Sequence, residues 1–92
     1  MKMRAHIYIS GRVQGVFFRD STRQVAQSMG LAGYVKNLSD GRVEIVVEGE
    51  KEGVDKLSQW CHIGPPGAIV KSVEIHNELY NGEFKIFEVR RY

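Results

Sequence analysis

The chain has 92 residues, a length that predicts one domain near the lower limit for a self-sufficient hydrophobic core. Hydrophobic residues make up 42% of the chain and charged residues 26%, a balance typical of folded globular proteins, which argues against intrinsic disorder. The formal net charge of +2 is by itself too small to indicate nucleic-acid binding, because the basic residues are interspersed with acidic ones.

The first half of the chain predicts a strand, a helix and a hairpin. Residues 4–10 alternate between apolar and polar, as in a half-buried strand. Apolar residues then recur at helical spacing over residues 19–29, and Gly30 follows where a glycine cap is expected. Residues 33–38 and 42–48 are two β-branched runs joined by Ser-Asp-Gly, which is a hairpin signal.

The second half predicts one more helix and two more strands. Apolar residues at helical spacing predict a helix over residues 50–62, and Gly-Pro-Pro-Gly then ends regular structure. Residues 68–76 and 83–90 are predicted strands. The order β-α-β-β-α-β with an extra C-terminal strand predicts an α+β, ferredoxin-like sandwich, in which an antiparallel sheet carries two helices on one face.

The titratable residues give little support to metal chemistry. His6, His62 and His76 lie far apart in sequence and the single cysteine supplies no ligand cluster, so we expect no bound metal. We expect the acidic residues of the turns and outward faces to be solvated: Asp40, Glu44, Glu48, Glu50 and Glu52.

The single cysteine and the absence of a targeting signal predict a cytoplasmic location. Residues 1–4 lead directly into a strand pattern, and no apolar stretch suits a signal peptide or a membrane span. Cys61 cannot form an internal disulfide, which fits a reducing compartment. It falls on the apolar side of a predicted helix, so we expect a buried structural thiol rather than a nucleophile.

Residues 11–19, Gly-Arg-Val-Gln-Gly-Val-Phe-Phe-Arg, join the first strand to the first helix. Arg19 stands in the first helical turn, where free N–H groups and the helix dipole already concentrate positive charge. This placement favours an anionic ligand, because the glycines let the backbone curl around a phosphate that the amides and the guanidinium then bind. The alternative is a tight turn with Arg19 in solvent. The run fits neither a P-loop nor a dinucleotide fingerprint, so ATP and NAD are not predicted.

Asn37 is the second candidate site residue, because asparagine is disfavoured in the β run that it interrupts. Its amide both donates and accepts hydrogen bonds, so it could hold a water molecule and leave a lone pair free to attack. Alternatively, Asn37 only begins the hairpin turn, a role that asparagine often takes and that the residues alone favour.

Two spaced runs resemble the signatures of the acylphosphatase family. Residues 9–19 contain Gly-x-Val-Gln-Gly-Val-x-Phe-Arg with every fixed position met. The second signature, Gly-aromatic-Val-x-Asn followed by Gly-x-Val and a later glycine, resembles residues 33–37, residues 41–43 and Gly49. Tyr34 stands where many members carry tryptophan, a change within the aromatic class. The resemblance covers essentially the whole chain.

The resemblance implies a small stand-alone acylphosphatase that cleaves an acyl phosphate into a carboxylate and inorganic phosphate, with no metal or cofactor. By family analogy, the backbone of the loop and the Arg19 guanidinium hold the phosphoryl group, and Asn37 positions the attacking water. The implied phosphate-binding residues are Gln14, Gly15, Val16, Phe17, Phe18 and Arg19. The resemblance also favours an edge position for the last strand, which would bring the terminal carboxylate of Tyr92 towards Arg19.

Two other classes of function are weighed against this interpretation. An RNA-binding module of the same architecture would carry aromatic residues on its third strand, whereas residues 42–48 have none and carry two acids. A small-molecule sensor, or a domain detached from a larger carbamoyl-transfer enzyme, is the other class, and the short chain favours the stand-alone hydrolase. We expect a monomer with an acyl phosphate as substrate, phosphate or sulfate as competing anions, and neither nucleic acid nor membrane as partner.

Overall fold

The computed structural model describes residues 1–91, and its order of elements is the predicted one. The elements are β1 (Lys2–Arg12), α1 (Phe18–Ser28), β2 (Ala32–Asn37), β3 (Val43–Glu50), α2 (Lys51–Cys61), β4 (Ile69–Glu78) and β5 (Phe87–Arg90). Gly30 follows α1 in a left-handed conformation (φ 68°), as its predicted capping role requires. Of the predicted last strand, residues 83–86 lie before β5, and the Ile86 carbonyl accepts a hydrogen bond from the Gly33 amide of β2 (2.9 Å).

The five strands form one mixed sheet in the order β4-β1-β3-β2-β5. The first four strands pair antiparallel, whereas β5 pairs parallel with β2, from Gly33 opposite Phe87 to Lys36 opposite Arg90. The edge position of the last strand is therefore confirmed, and its parallel pairing with β2 makes the five-stranded sheet mixed. The reason is geometric. The strand β4 runs opposite to β2, and the chain crosses the sheet at the end where β4 finishes. The next strand, β5, therefore starts at that end and runs in the same direction as β2.

The core lies between the sheet and the two helices. Alternate residues of the central strands are fully buried, as their apolar pattern predicted, and Cys61 on α2 is also completely buried. Burial raises the pKa of the Cys61 thiol to about 12, so the thiol stays protonated at neutral pH, in agreement with a structural role. Within residues 1–91, neither helix is long and apolar enough to cross a membrane.

The opposite face of the sheet is covered in part by the connection between β4 and β5. Glu48 on β3 is only 2% exposed, and its carboxylate accepts hydrogen bonds from the backbone N–H groups of Asn81 (3.3 Å) and Phe84 (3.3 Å). The Arg4 guanidinium donates to the same carboxylate (3.2 Å). Because Asn81 and Phe84 belong to the crossing connection, Glu48 attaches this connection to the centre of the sheet.

Two of the acidic residues therefore depart from the expected solvent exposure. Glu48 and Glu44 are both buried, the latter beside the His6 ring (2.9 Å) and the Tyr34 hydroxyl, which donates to it (3.2 Å). The expectation was wrong for these two because long side chains of neighbouring strands and the crossing connection exclude water from this face. The other acidic residues considered are exposed, as expected: Asp40, Glu50 and Glu52.

We expect Glu48→Ala to lower the free energy of unfolding by about 2 to 3 kcal/mol at neutral pH, because it removes the acceptor of two buried amides and one of Arg4's carboxylate partners. Equilibrium urea unfolding measures this loss. Glu50→Ala is the matched control, because Glu50 is exposed and, among residues 1–91, forms an ion pair with the N-terminus alone, and it should cost less than about 0.5 kcal/mol. An equal loss for both variants would contradict the anchoring role.

The contribution of Glu48 should also depend on pH. Burial opposes ionisation of Glu48, but the hydrogen bonds from Asn81, Phe84 and Arg4 outweigh this effect and lower its pKa. A carboxyl whose pKa is lower in the folded chain stabilises the fold above its unfolded-state pKa of about 4.3. That contribution is lost as the pH falls through the folded-state pKa. The difference in free energy of unfolding between the wild-type chain and Glu48→Ala should therefore become smaller as the pH falls through the folded-state pKa of Glu48.

Candidate active site

The loop between β1 and α1 has an unusual backbone conformation and free backbone amides. Gly15 and Phe17 both have positive φ (76° and 62°), and Phe17 is the one residue other than glycine with this conformation within residues 1–91. The first hydrogen bond of α1 runs from the Ser21 amide to the Phe17 carbonyl (3.0 Å). In the described part of the chain, no acceptor engages the amides of residues 14–18. These amides and the positive end of the α1 dipole are therefore available to an anion.

Gln14 attaches this loop to the hairpin between β2 and β3. Its side-chain amide donates to the backbone carbonyls of Leu38 (2.8 Å) and Arg42 (3.0 Å). Leu38 directly follows Asn37, so the Gln14 side chain holds the loop against the end of β2 that carries the second candidate residue. The side chain of Gln14 is thus occupied, and its backbone amide is the group available to a ligand.

A cavity of about 230 Å³ lies at the start of α1. It brings together Arg19 from α1 and Asn37 from the end of β2, two residues that lie 18 positions apart in sequence. Of the residues implied by the resemblance, Gln14 and Val16 do not line it. The residues that line the cavity are Val13, Gly15, Phe17, Phe18, Arg19, Asp20, Asn37 and Arg91.

Asn37 lines this cavity, and its side-chain oxygen is buried. Its Oδ1 has no hydrogen-bond partner among residues 1–91, an arrangement that usually costs about 1 to 3 kcal/mol. The turn itself is made by other groups: Leu38 N–H donates to the Arg42 carbonyl (2.8 Å), and Arg42 N–H donates to Asp40 Oδ1 (3.1 Å). None of these turn hydrogen bonds involves the Asn37 side chain.

The charges that line the cavity are mainly positive. No carboxylate of residues 1–91 lies within salt-bridge distance of the Arg19 guanidinium. The neighbouring Asp20 is instead 3.9 Å from Arg23, one turn further along α1. The expectation that the terminal carboxylate of Tyr92 approaches Arg19 falls outside the described residues.

Arg91 is a cavity residue that the sequence reasoning missed. In the parallel pairing of β5 with β2, Lys36 lies opposite Arg90, so the next residue, Arg91, comes beside Asn37. The Arg90 guanidinium also stacks on the Tyr34 ring, 4.0 Å from its centroid, which fixes the end of β5 against β2. The basic pair at the end of the last strand, Arg90 and Arg91, was the available signal, but it becomes informative only once the partner strand is known.

Comparison with known proteins identifies the family. A family model described as Acylphosphatase matches residues 5–89. A curated acylphosphatase from Rubrobacter xylanophilus is 58% identical over 87 residues, which cover 95% of this chain and 79% of that relative. The chain belongs to the acylphosphatase family. As a member of that family it is an enzyme, and the resemblance seen in its two signature runs is confirmed.

Solved structures of the acylphosphatase family share the fold. An acylphosphatase from Coxiella burnetii is 42% identical and superposes with a TM-score of 0.92, covering 97% of this chain and 93% of that one. Full-length HypF, solved in a phosphate- and nucleotide-bound form, is 30% identical with a TM-score of 0.88. The match covers 98% of this chain but 12% of HypF, so an acylphosphatase-like region also occurs within a larger protein.

Two further observations bear on the alternative classes of function. In the described part of the chain, no three His, Cys, Asp or Glu side chains are grouped so that they could hold a metal ion. On the sheet face opposite the helices, the buried carboxylates of Glu44 and Glu48 occupy the third strand, where an RNA-binding module would present aromatic rings. Neither observation supports an alternative to the acylphosphatase family.

Proposed function

We propose that this chain hydrolyses the carboxyl–phosphate bond of acyl phosphates and releases a carboxylate and inorganic phosphate. Membership of the acylphosphatase family supports the reaction class. The observation that supports the proposed mechanism is the cavity lined by Arg19, by Asn37 and by residues of the loop whose amides have no acceptor among residues 1–91. Arg19 supplies a cation, the loop supplies N–H groups that bind an anion, and Asn37 supplies an oxygen that accepts a hydrogen bond from water.

In this mechanism the phosphoryl group lies in the loop at the start of α1. Negative charge on the transferring phosphoryl oxygens is the main feature to be stabilised, and preorganised donors achieve this without reorganisation. The planar guanidinium of Arg19 binds two oxygens at once and stays ionised at every working pH. Phosphate binding is assigned to Gln14, Gly15, Val16, Phe17, Phe18 and Arg19, the first five through their backbone amides.

The water molecule is held by Asn37. Its Oδ1 accepts a hydrogen bond from the water, which leaves a lone pair of the water oxygen directed at phosphorus. Attack forms the new P–O bond, while the bond to the acyl oxygen breaks and the carboxylate departs with its electron pair. A carboxylate is a weak base, so it needs little acid assistance, and a phosphoryl oxygen accepts the proton of the water. Arg19 and Asn37 are thus the catalytic residues.

The remaining proposals concern how the enzyme works in the cell. We take residues 1–92 as one domain that acts as a monomer in the cytoplasm, with neither metal nor cofactor and without nucleic acid or membrane as partner. The buried, protonated Cys61 supports a reducing compartment. Phosphate and sulfate are expected to compete with the substrate, because they match the phosphoryl group in charge and size.

The function is tested by phosphate release from benzoyl phosphate and acetyl phosphate. The purified chain should hydrolyse them at the same rate before and after prolonged dialysis against EDTA, and inorganic phosphate should inhibit competitively. If neither acyl phosphate is cleaved, the proposed function is wrong. If dialysis abolishes the activity and Mg²⁺ restores it, the reaction class stands but the metal-free mechanism does not.

A further inference from the structure

Phe17 departs from three local preferences at once. Its backbone is left-handed (φ 62°, ψ 27°), a conformation that is strained for a bulky side chain. It occupies the N-cap of α1, where a polar side chain usually caps a free amide, and it makes no such bond. Its ring is 79% exposed, so it adds almost nothing to the hydrophobic core. The stability of the fold therefore does not account for an aromatic residue here.

The position of the ring supplies the missing explanation. Apart from glycine, the apolar residues that line the cavity are Val13, Phe17 and Phe18. Val13 and Phe18 are 1% and 2% exposed and belong to the core, so their surfaces are already covered. Phe17 is thus the apolar side chain of the lining that a bound molecule can touch. Phe17 also belongs to the loop to which the proposed function assigns the phosphoryl group, so the loop that holds that group carries an exposed ring.

We propose that the Phe17 ring is the binding surface for the acyl group, and that it makes this enzyme prefer acyl phosphates with a flat apolar acyl group to those with a small one. The inference rests on the proposed function. In an in-line displacement the acyl oxygen leaves on the side of phosphorus opposite the attacking water, so the acyl group points away from Asn37. Contact with an exposed ring then buries apolar surface of both partners and allows stacking with an aromatic acyl group.

The test compares kcat/KM for benzoyl phosphate and acetyl phosphate in variants of Phe17. Phe17→Asn removes the ring while keeping a residue that tolerates the left-handed backbone, and Phe17→Gly removes it while relaxing the backbone. In both variants the benzoyl-to-acetyl ratio of kcat/KM should fall about tenfold or more, mainly through a higher KM for benzoyl phosphate. Phe17→Tyr keeps a ring and should retain the ratio within about twofold.

The possible results separate this inference from the proposed function. Equal losses for both substrates in Phe17→Asn and Phe17→Gly would assign Phe17 to loop shape alone and overturn the acyl-binding role. Wild-type kcat/KM values for both substrates in both variants would overturn it as well. Failure of the wild-type chain to cleave either substrate would instead overturn the proposed function itself. A urea melt and the inhibition constant for inorganic phosphate show that each variant is folded and retains its anion-binding loop.

Discussion

Arg19→Ala is expected to lower kcat/KM for benzoyl phosphate by at least about 10²- to 10³-fold, by analogy with the removal of one preorganised charge-stabilising donor. The loss is large because the guanidinium lines the cavity without a carboxylate partner among residues 1–91, so its charge acts on the ligand. Phosphate binding should weaken as well, since the proposed mechanism has Arg19 contact the phosphoryl group in the ground state and in the transition state. Steady-state kinetics and phosphate inhibition measure the two effects.

Two further variants of basic residues make this test specific. Arg19→Lys keeps the charge but loses the planar fork, so it should recover little of the activity. Arg12→Ala removes an exposed arginine at the end of β1 that does not line the cavity, and its kcat/KM should stay within about twofold of wild type. Near-normal hydrolysis by Arg19→Ala would refute the role assigned to Arg19. Similar losses in Arg12→Ala would point to a general effect of net charge.

Asn37→Ala should lower kcat by about 10²- to 10³-fold and leave KM for benzoyl phosphate almost unchanged. The proposed contact is with the water and not with the phosphoryl oxygens, so removing it raises the barrier, by roughly 3 to 4 kcal/mol, without weakening binding. The free energy of unfolding should not fall, because the deleted Oδ1 is buried and makes no hydrogen bond within residues 1–91. Steady-state kinetics and a urea melt measure both expectations.

Asn77→Ala is the control for this variant, because Asn77 is an exposed asparagine on the edge strand β4, and its removal should change neither kcat nor KM. The alternative roles of Asn37 have distinct outcomes. Weakened phosphate binding with intact kcat would place Asn37 among the phosphate ligands. Intact kcat and KM, combined with a loss of stability, would return Asn37 to a purely structural role in the hairpin.

Local signals were enough to predict each element of the fold. Alternation in residues 4–10 predicted a half-buried strand, and the same inward residues, Ala5, Ile7 and Ile9, are completely buried in β1. Such signals are reliable because the period at which apolar residues recur in a strand or helix depends only on near neighbours in the chain. They were also enough to mark residues 11–19 as a loop with an unusual cation, because the free amides of a helix start are a local property.

The environment of the acidic residues could not be predicted in this way. Glu44 and Glu48 alternate with apolar residues, which by pattern alone places them on a solvated face. Glu48 is covered by Arg4 on another strand and by the connection before β5, at sequence distances of more than 30 residues. Glu44 lies beside His6 and Tyr34, which belong to two other strands. Partners at such distances leave no periodic trace in the sequence.

Local patterns were sufficient to predict the order of elements, the inward faces of the central strands and, through two signature runs, the family and its candidate residues Arg19 and Asn37. The folded chain was needed to show that β5 pairs parallel with β2, that Arg91 lines the cavity and that Asn37 Oδ1 has no hydrogen-bond partner among residues 1–91. These features depend on which strands become neighbours. That choice is made by the summed packing of the whole chain and not by any one segment.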